Sequence, residues 1–270
     1  YSAFHLKNEY TGQMFPISVQ NLSNFIADLS LKNYAGSSIA TIVSGLSFLH
    51  KILNKTDPAN SFMVRKLIRG ALAINPPQQT RMAITINTLS EMLRVLPSVT
   101  ECKYDQDLFS ALFSLSFHAL LRVGEVTGAP GKNPNVITSE NVKLGKTSIS
   151  LTLHNFKHKK TTKPITLEIQ SSNQKDVCPV HTLECYLSQR GTSNGPLFRN
   201  EDHSEITRSR VHKVMSESLE AAGFDSSSYN THSFRIGGMN NAISNNVDLD
   251  TIQRWGRWSS QAAMNKYIRI

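Results

Sequence analysis

The sequence predicts a mainly α-helical protein with a small antiparallel β-sheet, arranged in two domains. Apolar residues recur at three- and four-residue spacing along most of the chain, which is the period of an amphipathic helix. Two segments, around residues 149–153 and 165–169, instead alternate apolar and polar residues as strands do. The 270 residues exceed the ~100–200 of a usual domain, and 39% hydrophobic residues supply enough apolar material for real cores.

The first 77 residues are predicted to form a helical domain. Ser18 is expected to cap one helix, Ser37 or Ser38 a second, and a third is expected from about Ser61. The residues before Thr11 resemble the tail of a helix, so we expect the sequence to begin within an element. Each of these helices has its apolar residues on one side, which predicts a shared core.

Residues 75–81 predict the boundary between the domains. Pro76 and Pro77 follow Asn75 in a polar segment, and adjacent prolines cannot continue a helix. We interpret this segment as a linker between domains 1–77 and 78–270. An ordinary helix–helix loop is the alternative.

The second domain begins with helices and then changes period. Thr88 and Glu91 have the spacing of a capping box, and Asp105 or Asp107 is expected to open a strongly apolar helix. The two predicted strands flank a basic segment from about Asn155 to Pro164, which favours a hairpin. Helices are expected to resume after the strands, with breaks at Gly223 and at the pairs Gly237–Gly238 and Asn245–Asn246.

Composition narrows the class of protein. Lys and Arg number 29 against 20 Asp and Glu, a net charge of +9, which favours a polyanionic partner such as nucleic acid over a solubility effect alone. No apolar run reaches the ~18 residues that a membrane-spanning helix needs, so no membrane partner is expected. Cys102, Cys178 and Cys185 are odd in number and lack zinc-ligand spacing, which indicates a reducing, intracellular environment.

An arginine and a glutamate follow the most apolar helix. Arg122 and Glu125 are three residues apart, so they can share one helical face. A surface ion pair is the simplest interpretation. Because Arg122 follows a very apolar stretch, however, we expect it to be partly buried, and a buried arginine needs a carboxylate or a phosphate.

A histidine and an arginine open a later helix. Thr231 is a plausible N-cap, which would place His232 and Arg235 at the helix start, where free N–H groups favour an anion. A capping histidine with a solvated arginine is the alternative. Gly237 and Gly238 would either allow another backbone to approach closely or simply break the helix.

Aromatic and basic residues complete the candidate set. Trp258 lies in the segment Gly256–Ser260, and Tyr267 follows it by nine residues. Such aromatic residues are more often core than catalytic. Lys157, in the predicted hairpin, belongs to a basic run that is usually solvated.

Taken together, these motifs resemble those of the tyrosine recombinase (phage integrase) family. Their order and spacing match that family's arginine with a nearby glutamate, hairpin lysine, histidine-x-x-arginine, glycine-x-tryptophan and terminal tyrosine. The tryptophan is the choice made by Cre-like members. A weaker resemblance is to recombinases of eukaryotic mobile elements of the Crypton, Ngaro and DIRS types. The resemblance implies a helical core-binding, DNA-binding domain at 1–77 and a mixed α+β catalytic domain at 78–270.

The resemblance also implies a role for each motif. Tyr267 would attack a DNA phosphate and form a 3′-phosphotyrosine. Arg122 and Arg235 would bind the non-bridging oxygens by two-pronged hydrogen bonds, which disperses the charge of the transition state. His232 and Trp258 would donate further hydrogen bonds. Lys157 would be the acid that protonates the leaving 5′-oxygen, and Glu125 would orient Arg122.

The implied reaction needs neither a metal nor a cofactor or ATP, because the covalent link conserves the phosphodiester bond. The implied partners are double-stranded DNA and further copies of the chain, as a dimer on one site and a tetramer in the synaptic complex. The expected location is the nucleus in a eukaryote, or the cytoplasm and nucleoid in a bacterium or phage. Basic residues expected to contact DNA are Lys159, Lys160, Arg65, Lys66, Arg69, Arg81, Arg208 and Arg210.

Two other functions are compatible with the motifs. A type IB topoisomerase uses a similar set of residues to relax DNA, and a DNA-binding protein derived from a recombinase would keep the fold without the chemistry. Within the recombinase hypothesis, Lys159 and Lys160 are alternatives to Lys157 as the acid.

Overall fold

The computed structural model describes residues 1–7, 14–74, 81–128, 131, 133–156 and 163–269. The chain divides into two compact units, Tyr1–Thr80 and Arg81–Ile270. The basic run with Lys157, Lys159 and Lys160 and most of the predicted linker, at 75–80, lie outside the described residues. The assignments made to them stay predictions.

Helices form the described part of the first unit, and their apolar faces meet in one core. Leu22, Ile39 and Val64, one from each of the three long helices, are fully buried there. The helices are α1 (Ser2–Lys7), α2 (Val19–Leu31), α3 (Gly36–Ile52) and α4 (Phe62–Ile74).

Two of the three predicted helix starts in this unit are confirmed. The Ser18 hydroxyl accepts from the Asn21 N–H, and the Ser61 hydroxyl accepts from the Val64 N–H. The prediction of Ser37 or Ser38 as a cap is wrong, because α3 already begins at Gly36. A Cβ on Gly36 would overlap the α4 backbone, so the close packing of these two helices fixes where α3 starts.

The second unit surrounds a three-stranded antiparallel sheet with helices. The sheet order is β1-β2-β3, and Leu151 of β2 pairs with Val142 and Leu167 of its two neighbours. The strands are β1 (Val142–Leu144), β2 (Ser148–Leu153) and β3 (Ile165–Gln170), and the helices are α5 (Ile86–Val99), α6 (Lys103–His118), α7 (Val123–Val126), α8 (Pro179–Arg190), α9 (Arg208–Ala221), α10 (Ser233–Ser244), α11 (Leu249–Gly256) and α12 (Gln261–Asn265). This confirms the two predicted strands and the fold class, a mainly α protein with a small antiparallel sheet. The short strand β1 was not predicted.

Helix α6 runs through the core of the second unit. It packs against α5, α8 and α10, and its rings Phe109, Phe113 and Phe117 are fully buried. Burial on nearly all sides explains why this helix lacks a clear polar face. Its C-terminal end therefore has a fixed position, from which the next residues enter the candidate site.

The predicted starts of α5 and α6 are wrong by a few residues. Thr85, not Thr88, caps α5, since the Thr85 hydroxyl accepts from the Thr88 N–H at 3.1 Å. Helix α6 begins at Lys103, because the two candidate capping carboxylates are engaged elsewhere. Asp105 pairs with Arg210 at 2.5 Å, and Asp107 pairs with Lys103 at 2.6 Å.

Helix α10 continues through the glycine pair at which a break was predicted. A Cβ on Gly237 would overlap the Ile84 carbonyl, and one on Gly238 would overlap the Phe117 carbonyl. The glycines thus serve close backbone packing, the other interpretation drawn from the sequence. This packing brings the start of α10 next to the end of α6.

Among the helices that the structure describes, none combines the length and the apolar character needed to cross a membrane.

Candidate active site

The C-terminal tyrosine lies against the predicted histidine. Tyr267 follows α12, and its hydroxyl oxygen is 2.7 Å from Nε2 of His232. The Tyr267 carbonyl accepts from the Asn240 side chain on α10 at 3.0 Å, which ties this segment to that helix. An imidazole nitrogen at this distance from a phenol is placed to hold or receive its proton.

His232 is held by a turn rather than by the cap expected at Thr231. The Asn230 side-chain oxygen accepts from the His232 N–H at 2.8 Å, and the Ser233 hydroxyl accepts from the Asn230 N–H at 3.1 Å. The prediction of Thr231 as N-cap is therefore wrong, since Asn230 occupies the local hydrogen-bonding role. His232 still directly precedes α10.

Arg235 is the most deeply buried of the predicted site residues. It lies in the first turn of α10 with no exposed surface, and its Nη1 and Nη2 donate to the carbonyls of Leu120 and Gly256. Its Nε has no partner among the described residues. An arginine has more N–H donors than these two bonds use, so donors remain for an anion.

The electrostatic environment of Arg235 favours a negative ligand. Burial, together with the nearby charges of Arg122 and Arg257, lowers its pKa well below the usual value of an arginine. The negative charge of Glu125 acts in the opposite direction. Because a buried cation without full compensation is costly, a bound anion would stabilise this cluster.

Trp258 covers Arg235 and touches Tyr267. The guanidinium carbon lies 4.0 Å from the centre of the indole, and the Trp258 and Tyr267 rings meet edge to face at 5.2 Å. Its buried Nε1 has no hydrogen-bond partner within the described residues. Gly256 makes room for this arrangement, because a Cβ there would overlap the indole.

Arg122 and Glu125 form the ion pair predicted from their spacing. Arg122 directly precedes α7, and its Nη1 is 3.3 Å from Oε1 of Glu125. The same carboxylate accepts from the Arg122 backbone N–H at 2.9 Å, so it fixes both ends of that residue. The Arg122 side chain keeps 20% of its surface exposed, whereas that of Glu125 is buried.

A third arginine, Arg257, belongs to the cluster and was not predicted. Its side chain is fully buried, and Nη2 donates to Oε2 of Glu125 at 2.8 Å and to the Leu120 carbonyl at 3.0 Å. Its Nη1 donates to the Trp255 carbonyl at 2.8 Å. The sequence feature that could have indicated Arg257 is a charged residue between Gly256 and Trp258. It was not predicted because the glycine-x-tryptophan motif assigns no role to its middle position.

Arg122 and His232 line the same open cleft of about 360 Å³. Arg208, the first residue of α9, also lines it, and its guanidinium lies against Gly124. A larger cavity of about 900 Å³ lies between β3 and α10 and is lined by none of the predicted site residues. Arg122, Arg208 and His232 thus share the smaller cleft, whereas Arg235, Trp258 and Tyr267 are not among the residues that line it.

The basic residues predicted to contact DNA differ in their surroundings. Arg65, Lys66 and Arg69 are exposed on α4. Arg81 is exposed and donates to the Ser227 carbonyl at 2.9 Å. Arg210 is tied to Asp105 and Asn200 within the protein, so it is less available to a ligand than its neighbour Arg208.

The described residues contain no group of three or more His, Cys, Asp and Glu side chains that could hold a metal ion.

Comparison with known proteins gives no match by sequence, either to a family model or to a curated protein. Solved structures do match. The XerH site-specific recombinase bound to its difH substrate superposes with a TM-score of 0.70 at 14% identity, over 98% of this chain and 72% of that one. The Tn1549 transposon integrase bound to circular intermediate DNA gives 0.64 at 12% identity, over 100% and 87%.

A lambda integrase dimer bound to a core site gives a TM-score of 0.64 at 11% identity, over 98% of this chain and 69% of that one. This chain has the tyrosine recombinase fold. The fold-level resemblance predicted from the motifs is thereby confirmed. At such low identity the resemblance shows the fold alone, and the chemistry of this chain depends on its own residues.

Proposed function

We propose that the protein is a site-specific DNA recombinase that cleaves and rejoins strands through a 3′-phosphotyrosine. The observation that carries the proposal is the contact of the Tyr267 hydroxyl with His232, beside the buried Arg235 and Trp258. A phenol, a proton acceptor and unsatisfied N–H donors are the groups needed to displace an alkoxide from a phosphodiester. Buried donors are usually paired, so the unpaired Nε of Arg235 and Nε1 of Trp258 support a site that takes a ligand.

In the proposed first step, the Tyr267 oxygen forms a bond to the scissile phosphorus while its proton passes to His232. The bond between phosphorus and the 5′-oxygen breaks, and that oxygen leaves with a proton as a 5′-hydroxyl. The product is a phosphodiester between Tyr267 and the 3′ end. Because one phosphodiester replaces another, no external energy source is required.

Arg122, Arg235 and Trp258 would stabilise the charge that develops on the non-bridging oxygens. Arg122 reaches the open cleft, and Arg235 and Trp258 hold N–H groups without partners among the described residues. Fixed donors stabilise a transition state more than mobile ones do. Glu125 would keep the Arg122 guanidinium aimed at the phosphate.

Lys157 is proposed as the acid that protonates the leaving 5′-oxygen, with Lys159 and Lys160 as neighbours on the same segment. Rejoining reverses the first step: the 5′-hydroxyl of a partner duplex attacks the phosphotyrosine, and Tyr267 regains its proton. Exchange of both strand pairs would need a dimer on each site and a tetramer in the synaptic complex. Exposed basic residues of the first unit, together with Arg208, would contact the phosphate backbone.

The test uses a pool of duplex oligonucleotides with a randomised core and a nick placed to release a short fragment after cleavage. Loss of that fragment prevents rejoining, so a covalent protein–DNA adduct accumulates and its DNA can be sequenced. We expect the wild type to form the adduct in EDTA and without ATP. Tyr267→Phe should form none while it still binds the selected duplex. Tyr104→Phe, another buried tyrosine, is the matched control and should form the adduct.

An adduct that persists in Tyr267→Phe would assign the nucleophile to another residue. If no pool yields an adduct, the proposed cleavage is rejected, and the remaining hypothesis is a non-catalytic DNA-binding protein with this fold. The selected duplex also separates recombination from relaxation: two copies of the site on one plasmid should yield recombinant products, whereas relaxation without recombinants would indicate a topoisomerase.

A further inference from the structure

Arg257 links the two arginines proposed to bind the phosphate. Through the Glu125 carboxylate it reaches Arg122, and through the Leu120 carbonyl it shares an acceptor with Arg235. No other described arginine contacts Glu125 besides Arg122 and Arg257. The guanidinium of Arg257 is fully buried and, unlike that of Arg235, is paired with a carboxylate, so its charge is already engaged within the protein.

The backbone conformation at Arg257 does not explain why this position holds an arginine. Arg257 ends α11 in the left-handed region, at φ 55°, where glycine is the least strained residue. A side chain at this position costs about 1 kcal/mol or more relative to glycine. The turn therefore does not require arginine, and only its guanidinium contacts account for it.

The charge balance indicates what those contacts do. Glu125 paired with Arg122 alone would form a neutral pair, and the carboxylate would compete with a phosphate for that guanidinium. With Arg257 bound to its other oxygen, the three residues carry a net positive charge. Part of the charge of Arg122 thus stays available to an anion in the cleft.

We propose that Arg257 is a positioning residue: it neutralises and anchors Glu125, so that Glu125 orients Arg122 without cancelling its attraction for the scissile phosphate. The proposal rests on the proposed function for its link to cleavage. Its electrostatic part, a stronger anion site in the cleft, holds for any phosphate.

The decisive experiment is a double-mutant cycle over the wild type, Arg257→Met, Glu125→Gln and the variant that combines the two substitutions. Arg257→Met leaves Glu125 free to neutralise Arg122, and adduct formation on the selected duplex should fall by about 100-fold, the usual scale for losing a fixed transition-state donor. Removing the carboxylate charge as well, in Arg257→Met with Glu125→Gln, should recover at least about tenfold of that loss, because the two residues act on one charge. Arg254→Met, on the exposed side of the same helix, is the matched control and should cleave normally.

Folding is separated from charge by a second variant. Arg257→Gly relieves the left-handed backbone and removes the guanidinium, so it should unfold at a temperature close to that of the wild type and show the same rescue by Glu125→Gln. If Arg257 only stabilises the fold, the double variants will be no better than the single ones, and loss of activity will follow loss of melting temperature. That result overturns the proposal.

Inorganic phosphate gives a readout that does not depend on DNA cleavage. The melting temperature of the wild type should rise with added phosphate, Arg257→Met should lose this rise, and Arg257→Met with Glu125→Gln should regain it. If phosphate follows this pattern while no adduct forms in the wild type, the positioning role stands and the recombinase proposal fails. If added phosphate raises the melting temperature equally in all four proteins of the double-mutant cycle, Arg257 has no electrostatic role in the cleft.

Discussion

At the scale of single residues, the candidate site depends on positions where a side chain is missing or the backbone is left-handed. Gly256 has no side chain, and the Trp258 ring occupies the space that a Cβ would fill there. Leu120 and Arg257, neither of them glycine, adopt φ 51° and φ 55°. The left-handed turn at Leu120 ends the α6 segment and leaves its carbonyl facing Arg235 and Arg257, which both donate to it.

Substituting Gly256 tests this arrangement. In Gly256→Ala the new methyl group overlaps the indole, so Trp258 must leave its place over Arg235. We expect the free energy of unfolding to fall by about 1–3 kcal/mol, as for other overpacked sites. The near-UV circular dichroism of the indole should change, and adduct formation should fall at least about tenfold.

The matched control for Gly256→Ala is Gly70→Ala, where a Cβ meets open space within helix α4. This control should keep the indole signal and gain a little stability, because alanine has the higher helix propensity. An unchanged indole signal in Gly256→Ala would mean that Trp258 does not need that space.

At the scale of elements, the site is an assembly of helix ends. Leu120 and Arg122 follow α6, and Arg257 is the C-cap residue of α11. His232 directly precedes α10, Arg235 lies in its first turn, and Tyr267 follows α12. The distances between these helix ends are set where the α10 backbone packs directly on the backbone of α6 and of the segment before α5. No side chain lies between the backbones at these contacts. Gly237 and Gly238 are the contact points, so the spacing between the two proposed phosphate-binding arginines depends on them.

Substituting Gly237 should therefore lower the free energy of unfolding, although alanine is normally favoured over glycine within a helix. Gly237→Ala places a methyl group on the Ile84 carbonyl, and α10 must shift to relieve the overlap. We expect a loss of about 1–3 kcal/mol in chemical unfolding, against a gain of about 0.5–1 kcal/mol for Gly45→Ala, which lies in an open part of α3. A stabilised Gly237→Ala protein would show that the two backbones are not in contact.

At the scale of the whole molecule, the basic side chains are of two kinds: some are exposed to solvent, and others are held in ion pairs within the protein. Arg69 is exposed on α4, whereas Arg210 is held by Asp105 at 2.5 Å and lies over the Phe109 ring. Only the free side chains can release counterions from DNA when it binds. Because the Arg210–Asp105 pair adds nothing to the formal net charge of +9, that charge does not show which arginines can contact a duplex.

The salt dependence of binding separates these two kinds of arginine. For binding to a non-specific duplex, Arg69→Gln should lower the slope of log K against log salt by about 1. Arg210→Gln should leave that slope unchanged but lower the melting temperature, because Asp105 loses its partner. The opposite pattern would mean that Arg210, and not Arg69, contacts phosphate.

The sequence predicted what depends on periodicity and residue type. The three- and four-residue apolar spacing located α2 and α4, and the alternation at 149–153 and 165–169 located β2 and β3. Strand β1 was missed because its three residues are too few to show an alternation, and two of them are exposed. The cap of α5 was misplaced because the Thr85 hydroxyl, and not that of Thr88, accepts a backbone N–H at the helix start. The cap of α6 was misplaced because Asp105 and Asp107 are engaged by Arg210 and Lys103 rather than by backbone N–H groups.

The sequence by itself determined that this chain has two helical regions with a small sheet and that it carries a histidine, a tryptophan, a tyrosine and two arginines in a distinctive order. Only the tertiary structure decided that Glu125 serves two arginines. Arg257 lies 132 residues away from it along the chain, and no local pattern reports which distant carboxylate a buried guanidinium will meet. That meeting depends on where α6 and α11 end, which the packing of the helices fixes.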